Sequence, residues 1–228
     1  MAATGGHDWL LRHKGLGMTL IGYGFSRDRV TLAVDGAATY VNDDPPPPTG
    51  YTRWVTSPCT KMRILADGSP LAWALVGGLQ DFGPFGQWID SASFESWTDL
   101  GNQCQEKVAE LNQETVSSGR AAGLSREDRE IMRSRVVVAG FVEDKADVVV
   151  VENRWIRASD VGQRYHFVGP HFVTSVAAWQ AVKAFNPEMS LSNPKTMRTF
   201  MESMCESLPF IGSPVQVVEI TKHGCKDA

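Results

Sequence analysis

Long apolar runs are absent from this 228-residue sequence; no stretch approaches the roughly 18 consecutive apolar residues that a membrane-spanning helix needs. The opening residues, Met1 to Asp8, lack the basic-then-apolar build of a secretory signal. Both absences point to a soluble, cytoplasmic chain without a membrane partner. Cysteine is sparse: Cys59, Cys104, Cys205 and Cys225 show no CxxC spacing, which argues against a zinc knuckle or a disulfide framework and makes reduced thiols the expectation. The five histidines, His7, His13, His166, His171 and His223, form no i, i+4 pair and no HExxH pattern, so no metal and no cofactor are expected. A formal charge of −4 and a pI near 5.7 supply no basic field for a phosphate backbone. The basic residues are not gathered into a stripe, and nucleic acid is not expected as a partner.

What is present is enough apolar side chain, 43% of residues, for one large core and one domain. Met18–Phe25 and Val30–Val34 flank the polar cluster Ser26 to Arg29 and read as a hairpin. Ala38–Val41 reads as a further extended piece, and the proline run from Asn42 to Gly50 as an exposed loop. Lys61–Leu65 and Leu71–Val76, joined by Asp67-Gly68-Ser69-Pro70, form a second hairpin pattern ended by Gly77-Gly78. The apolar spacing then turns helical, with helices expected over residues 93–115 and 125–134. Val136–Val142 and Ala146–Glu152 read as a third hairpin turning at Glu143 to Lys145. A strand at Tyr165–Val168, helices over Val173–Phe185 and Pro194–Ser207, and a strand at Val215–Ile220 complete the chain. Helices gathered in pairs between hairpins favour antiparallel sheets flanked by helices over a doubly wound sheet.

Several short motifs carry a resemblance. Met18-Thr19-Leu20-Ile21 is followed by Asp35-Gly36-Ala37-Ala38-Thr39, with Thr19 and Asp35 16 positions apart. Lys61 opens a hairpin that ends in Gly77-Gly78-x-x-Asp81, and Val137 to Phe141 and Phe167-Val168-Gly169 follow in order. This pattern resembles the proteasome β-subunit and HslV-type peptidases, N-terminal-nucleophile (Ntn) hydrolases. The resemblance implies an α+β fold, a four-layer αββα sandwich of two mainly antiparallel sheets, over residues 19–228, with residues 1–18 an N-terminal extension or propeptide. It also implies a peptide or amide substrate and assembly as a homo-oligomer, a ring, or part of a larger protein assembly. Phe82, Phe85, Trp88, Phe94 and Trp97 are candidates for the contact surface, or else for filling the core.

The same resemblance assigns roles. Thr19 would be the nucleophile with its own α-amine as base, since a threonine hydroxyl is weak at neutral pH and a free α-amine has a pKa of about 7.7–8. Lys61 would favour the deprotonated forms beside it, Asp35 would orient Lys61, and the Gly77 N–H would hold the oxyanion. Departures from the pattern keep a second reading open, a catalytically silent structural or adaptor subunit of a larger assembly, such as a ring partner or a viral particle component. Thr19 lies behind Met18, so its amine must be released by cleavage of Met18–Thr19, or by methionine removal from a chain begun at Met18. Gly169-Pro170-His171-Phe172 stands where the family carries serine, and Leu208 to Ser213 lacks the family's late Asp-x-x-Ser-Gly element.

Overall fold

Strands with two buried faces need apolar residues at every position, and this chain has them. In the computed structural model, which describes residues 19–42, 53–118, 133–162, 165–168, 191–207 and 211–228, twelve strands run β1 Ile21–Phe25, β2 Val30–Val34, β3 Ala37–Asn42, β4 Arg53–Pro58, β5 Met62–Ile64, β6 Leu71–Val76, β7 Arg135–Val142, β8 Lys145–Val151, β9 Trp155–Arg157, β10 Tyr165–Val168, β11 Gln216–Thr221 and β12 Gly224–Asp227. Three α-helices accompany them among the described residues: α1 Phe82–Ile89, α2 Trp97–Ser117 and α3 Pro194–Ser207. One five-stranded sheet is ordered β10-β1-β2-β11-β12 and another β5-β6-β7-β8-β9, with β3 and β4 forming a separate pair. Every described pairing is antiparallel.

Alternation along each strand divides the apolar side chains among three cores. Val30, Leu32 and Val34 of β2 meet Ala72 and Ala74 of β6, Val137 of β7 and Val148 of β8 in a core shared by the two five-stranded sheets. The intervening residues of the second sheet, Leu71, Trp73 and Leu75 of β6 with Val136, Val138 and Val149, pack instead against Phe85 and Ile89 of α1 and Leu100, Cys104 and Val108 of α2. On the first sheet, Leu20, Ala33 and Val217 pack against Met197, Phe200, Met201 and Met204 of α3.

The aromatic stretch fills core instead of facing a partner: Phe85 and Trp97 are buried, and Phe82, Trp88 and Phe94 pack against the same cluster. The Trp73 ring lies tilted against Phe82 at 4.6 Å and edge-on to Phe85 at 5.0 Å between ring centroids. That corrects the contact-surface expectation, because an apolar stripe on a helix looks the same in sequence whether it covers a sheet or a partner.

Local chemistry sets the element ends. Ser96 accepts the Asp99 N–H at 3.1 Å and caps α2, so this helix starts at Trp97 and not at residue 93. Helix α1, outside the expected helical ranges, carries Gly83-Pro84 in its first turn; proline is tolerated there because the N–H it lacks has no intrahelical acceptor. The β7–β8 turn is the two-residue kind, with Glu143 at φ 51° and Asp144 at φ 59°. The expected helices at 125–134 and 173–185 and the proline loop lie wholly or almost wholly outside the described residues. No described helix is long and apolar enough to cross a membrane.

Candidate active site

The first hairpin keeps its ends together, and that places Thr19. Register pairs Ile21 with Val34; one step further, the Asp35 N–H donates to the Leu20 carbonyl at 3.1 Å and the Leu20 N–H donates to Asp35 Oδ1 at 2.8 Å. Thr19, the next residue out, is 1% exposed. The 16-residue separation is thus the length of a hairpin that closes on itself.

Asp35 and Lys61 are each 0% exposed. Lys61 Nζ lies 3.1 Å from Oδ1 and 3.0 Å from Oδ2, donating to both carboxylate oxygens. Oδ2 also accepts from the Gly212 N–H at 3.3 Å and the Ala37 N–H at 3.4 Å. Burial is the largest influence on the carboxyl and pushes its pKa up, while the Lys61 charge and the N–H donors pull it down. Lys61 is strapped through its backbone as well: its N–H donates to Gln216 Oε1 at 3.0 Å and its carbonyl accepts from the Leu75 N–H at 3.3 Å. The structure brings Asp35 and Lys61 together and sets Thr19 beside them through Leu20.

Gly77 lies two residues beyond Leu75 on the same run of chain. Since N–H direction repeats every second residue in extended backbone, its N–H faces the edge of β6 from which the Leu75 N–H reaches Lys61. Strand β5 begins only at Met62, and no backbone carbonyl among the described residues takes the Gly77 N–H. Its φ of 116° belongs to glycine, and a Cβ there would stand 2.5 Å from the Arg133 carbonyl oxygen.

Sequence reasoning missed the segment around Gly212. Its N–H supports Asp35, and its carbonyl accepts the Gly36 N–H at 2.9 Å. The close approach needs glycine at position 36, where a Cβ would sit 1.9 Å from the Pro214 oxygen. The available signal was the Asp35-Gly36 and Gly212-Ser213 dipeptides, which permit two backbones to touch. Cys59 also donates its N–H to the Gly36 carbonyl at 2.7 Å. The Gly169 to Phe172 turn lies outside the described residues. Among the described residues no three His, Cys, Asp or Glu side chains gather closely enough to hold a metal ion.

No protein-family model matches the chain, and no curated protein matches it. Among solved structures it is similar to Anbu (ancestral beta-subunit) from Yersinia bercovieri, with a TM-score of 0.64 and 13% sequence identity over 92% of this chain and 86% of that one. The motif resemblance is corrected accordingly. Membership of the proteasome β-subunit and HslV-type peptidase family does not follow from a 13% likeness without a matching family model; what the comparison shows is a shared fold.

Proposed function

We propose that this chain is a threonine-type hydrolase of peptide or amide bonds, with Thr19 as nucleophile once the Met18–Thr19 bond has been cut. The observation that carries this reading is the fully buried Asp35–Lys61 pair against the first hairpin's end. Two charges removed from water are expensive, and three backbone N–H groups are spent on holding this carboxylate. Perturbed, desolvated charge pairs cluster at functional sites.

The chemistry proceeds on the chain's own groups. The Thr19 hydroxyl attacks the substrate carbonyl while the freed α-amine takes its proton, and the oxyanion settles on the Gly77 N–H. The Lys61 ammonium keeps the amine in its neutral, basic form, and Asp35 fixes Lys61. Collapse of the tetrahedral adduct expels the substrate amine, which takes the proton back from the α-ammonium, and leaves an ester on Thr19. Water, deprotonated by the same amine, then hydrolyses the ester. In this reading residues 1–18 are a propeptide, residues 19–228 form one four-layer αββα domain, and the enzyme is cytoplasmic. It works as an oligomer or inside a larger protein assembly, in keeping with a structural neighbour named as an ancestral beta-subunit.

One observation favours a second reading, a catalytically silent structural or adaptor subunit. Thr19 at 1% exposure offers no open face to a substrate. The discriminating experiment is hydrolysis of peptidyl-aminomethylcoumarin substrates by wild type, Thr19→Ala and Lys61→Ala. The hydrolase reading expects turnover in wild type and its loss in both variants. Absence of turnover in wild type supports the silent subunit, and turnover that survives Thr19→Ala overturns Thr19 as the nucleophile.

A further inference from the structure

We infer that Asn112, on helix α2, is a positioning residue that sets the Gly77 N–H by clamping Ser134 beneath it; the inference rests on the hydrolase reading, in which that N–H receives the oxyanion. Asn112 Oδ1 accepts the Ser134 N–H at 2.8 Å, and Asn112 Nδ2 donates to the Ser134 carbonyl at 3.2 Å. A side chain that engages both backbone groups of one residue fixes that residue in place and in rotation, as a neighbouring strand would. The Ser134 hydroxyl donates to Asp81 Oδ2 at 2.6 Å, with both residues 1% exposed.

Both ends of this clamp reach the Gly77-Gly78 turn. The backbone of Arg133 and Ser134 forms a floor under Gly77, where an added Cβ would stand 2.5 Å from the Arg133 oxygen and 2.9 Å from Ser134 Cα. From the other side, the Asp81 N–H donates to the Gly78 carbonyl at 3.0 Å and closes the turn into α1. Gly77, having no side chain of its own to anchor it, inherits its position from Ser134 and Asp81. A donor aimed at a developing charge loses much of its effect when it shifts by an ångström or less. The helix gains nothing from asparagine here, since alanine has the higher helical propensity, so the residue type answers to the clamp.

The test compares the full chain with Asn112→Ala, Ser134→Ala and Gln105→Ala. Gln105 is the control because it makes another helix-to-strand bond from α2, accepting the Trp155 N–H at 3.0 Å. Two readouts are taken: the amide proton and nitrogen chemical shifts of Gly77 by NMR, and kcat and KM on a peptidyl-aminomethylcoumarin. The expected result for Asn112→Ala and Ser134→Ala is a displaced Gly77 amide resonance and a kcat lower by about 10-fold or more with KM unchanged. Gln105→Ala is expected to change neither beyond any general loss of stability. A Gly77 resonance and kcat that are unmoved, or moved equally by Gln105→Ala, overturn the inference. Should wild type hydrolyse nothing while the Gly77 resonance still responds to Asn112→Ala, the hydrolase reading falls and the positioning of Gly77 stands.

Discussion

Lys61 is the residue whose removal has the clearest energetic consequence. Its ammonium is the side-chain cation on both Asp35 oxygens, and breaking a buried ion pair by deleting one partner costs about 3–5 kcal/mol. Lys61→Ala is therefore expected to lower the unfolding free energy by that order in urea titrations at pH 8. The pH dependence has a definite sign. Burial raises the Asp35 pKa, and without Lys61 no charge among the described residues opposes it as strongly. A carboxyl whose folded pKa exceeds its unfolded value of about 3.9 favours folding most when protonated, and loses that contribution as pH rises through the folded pKa. The deficit of Lys61→Ala relative to wild type should shrink between pH 8 and pH 5; a deficit that grows on acidification contradicts the burial-dominated account. The nearness of Thr19 and Asp35 was legible in sequence because two ends of a hairpin must be neighbours, whereas Lys61 was expected beside them from the motif resemblance. The Gly212 N–H was not, because a backbone donor has no side-chain signature.

Among the elements, the turn after β2 and strand β6 are the most constrained. Gly36→Ala would drive a Cβ to 1.9 Å from the Pro214 oxygen, so the expected outcome is a destabilised chain in which the Gly212 segment separates from Asp35, read as lost turnover and a lower denaturation midpoint. Trp73, fully buried between β6 and α1, should cost about 3–5 kcal/mol on substitution by alanine in chemical denaturation. Burial pushes the thiols of Cys104 on α2 and Cys205 on α3 up to about 12. With a thiolate fraction of about one in ten thousand at pH 8, both are expected to resist iodoacetamide in the folded chain and react on unfolding, as peptide mapping would show. Strands with near-continuous apolar runs, such as β2, β7 and β8, were readable from sequence. Strands β9, with three residues, and β12, reading Gly-Cys-Lys-Asp, were not, since neither carries enough apolar pattern to stand out from a turn.

At the scale of the whole molecule, the grouping of hairpins and helices announced antiparallel sheets because singly alternating helices are what parallel strands require. The pattern was silent on whether aromatic helix faces cover a sheet or a partner, and here those of α1 cover the second sheet. The assembly proposed for this chain would then use other surfaces, and light scattering at micromolar concentration is expected to give a multiple of the 25.0 kDa chain mass; a monodisperse monomer counts against a subunit role. The central claim is that Thr19 becomes a free N-terminal nucleophile. A peptidyl epoxyketone tests it most directly, because its two electrophilic carbons capture a hydroxyl and an amine held on adjacent carbons, as only an N-terminal threonine or serine presents them. Intact mass spectrometry after incubation should find a chain beginning at Thr19 and carrying one reagent molecule on that residue. An unmodified chain that still carries residues 1–18 would contradict the account.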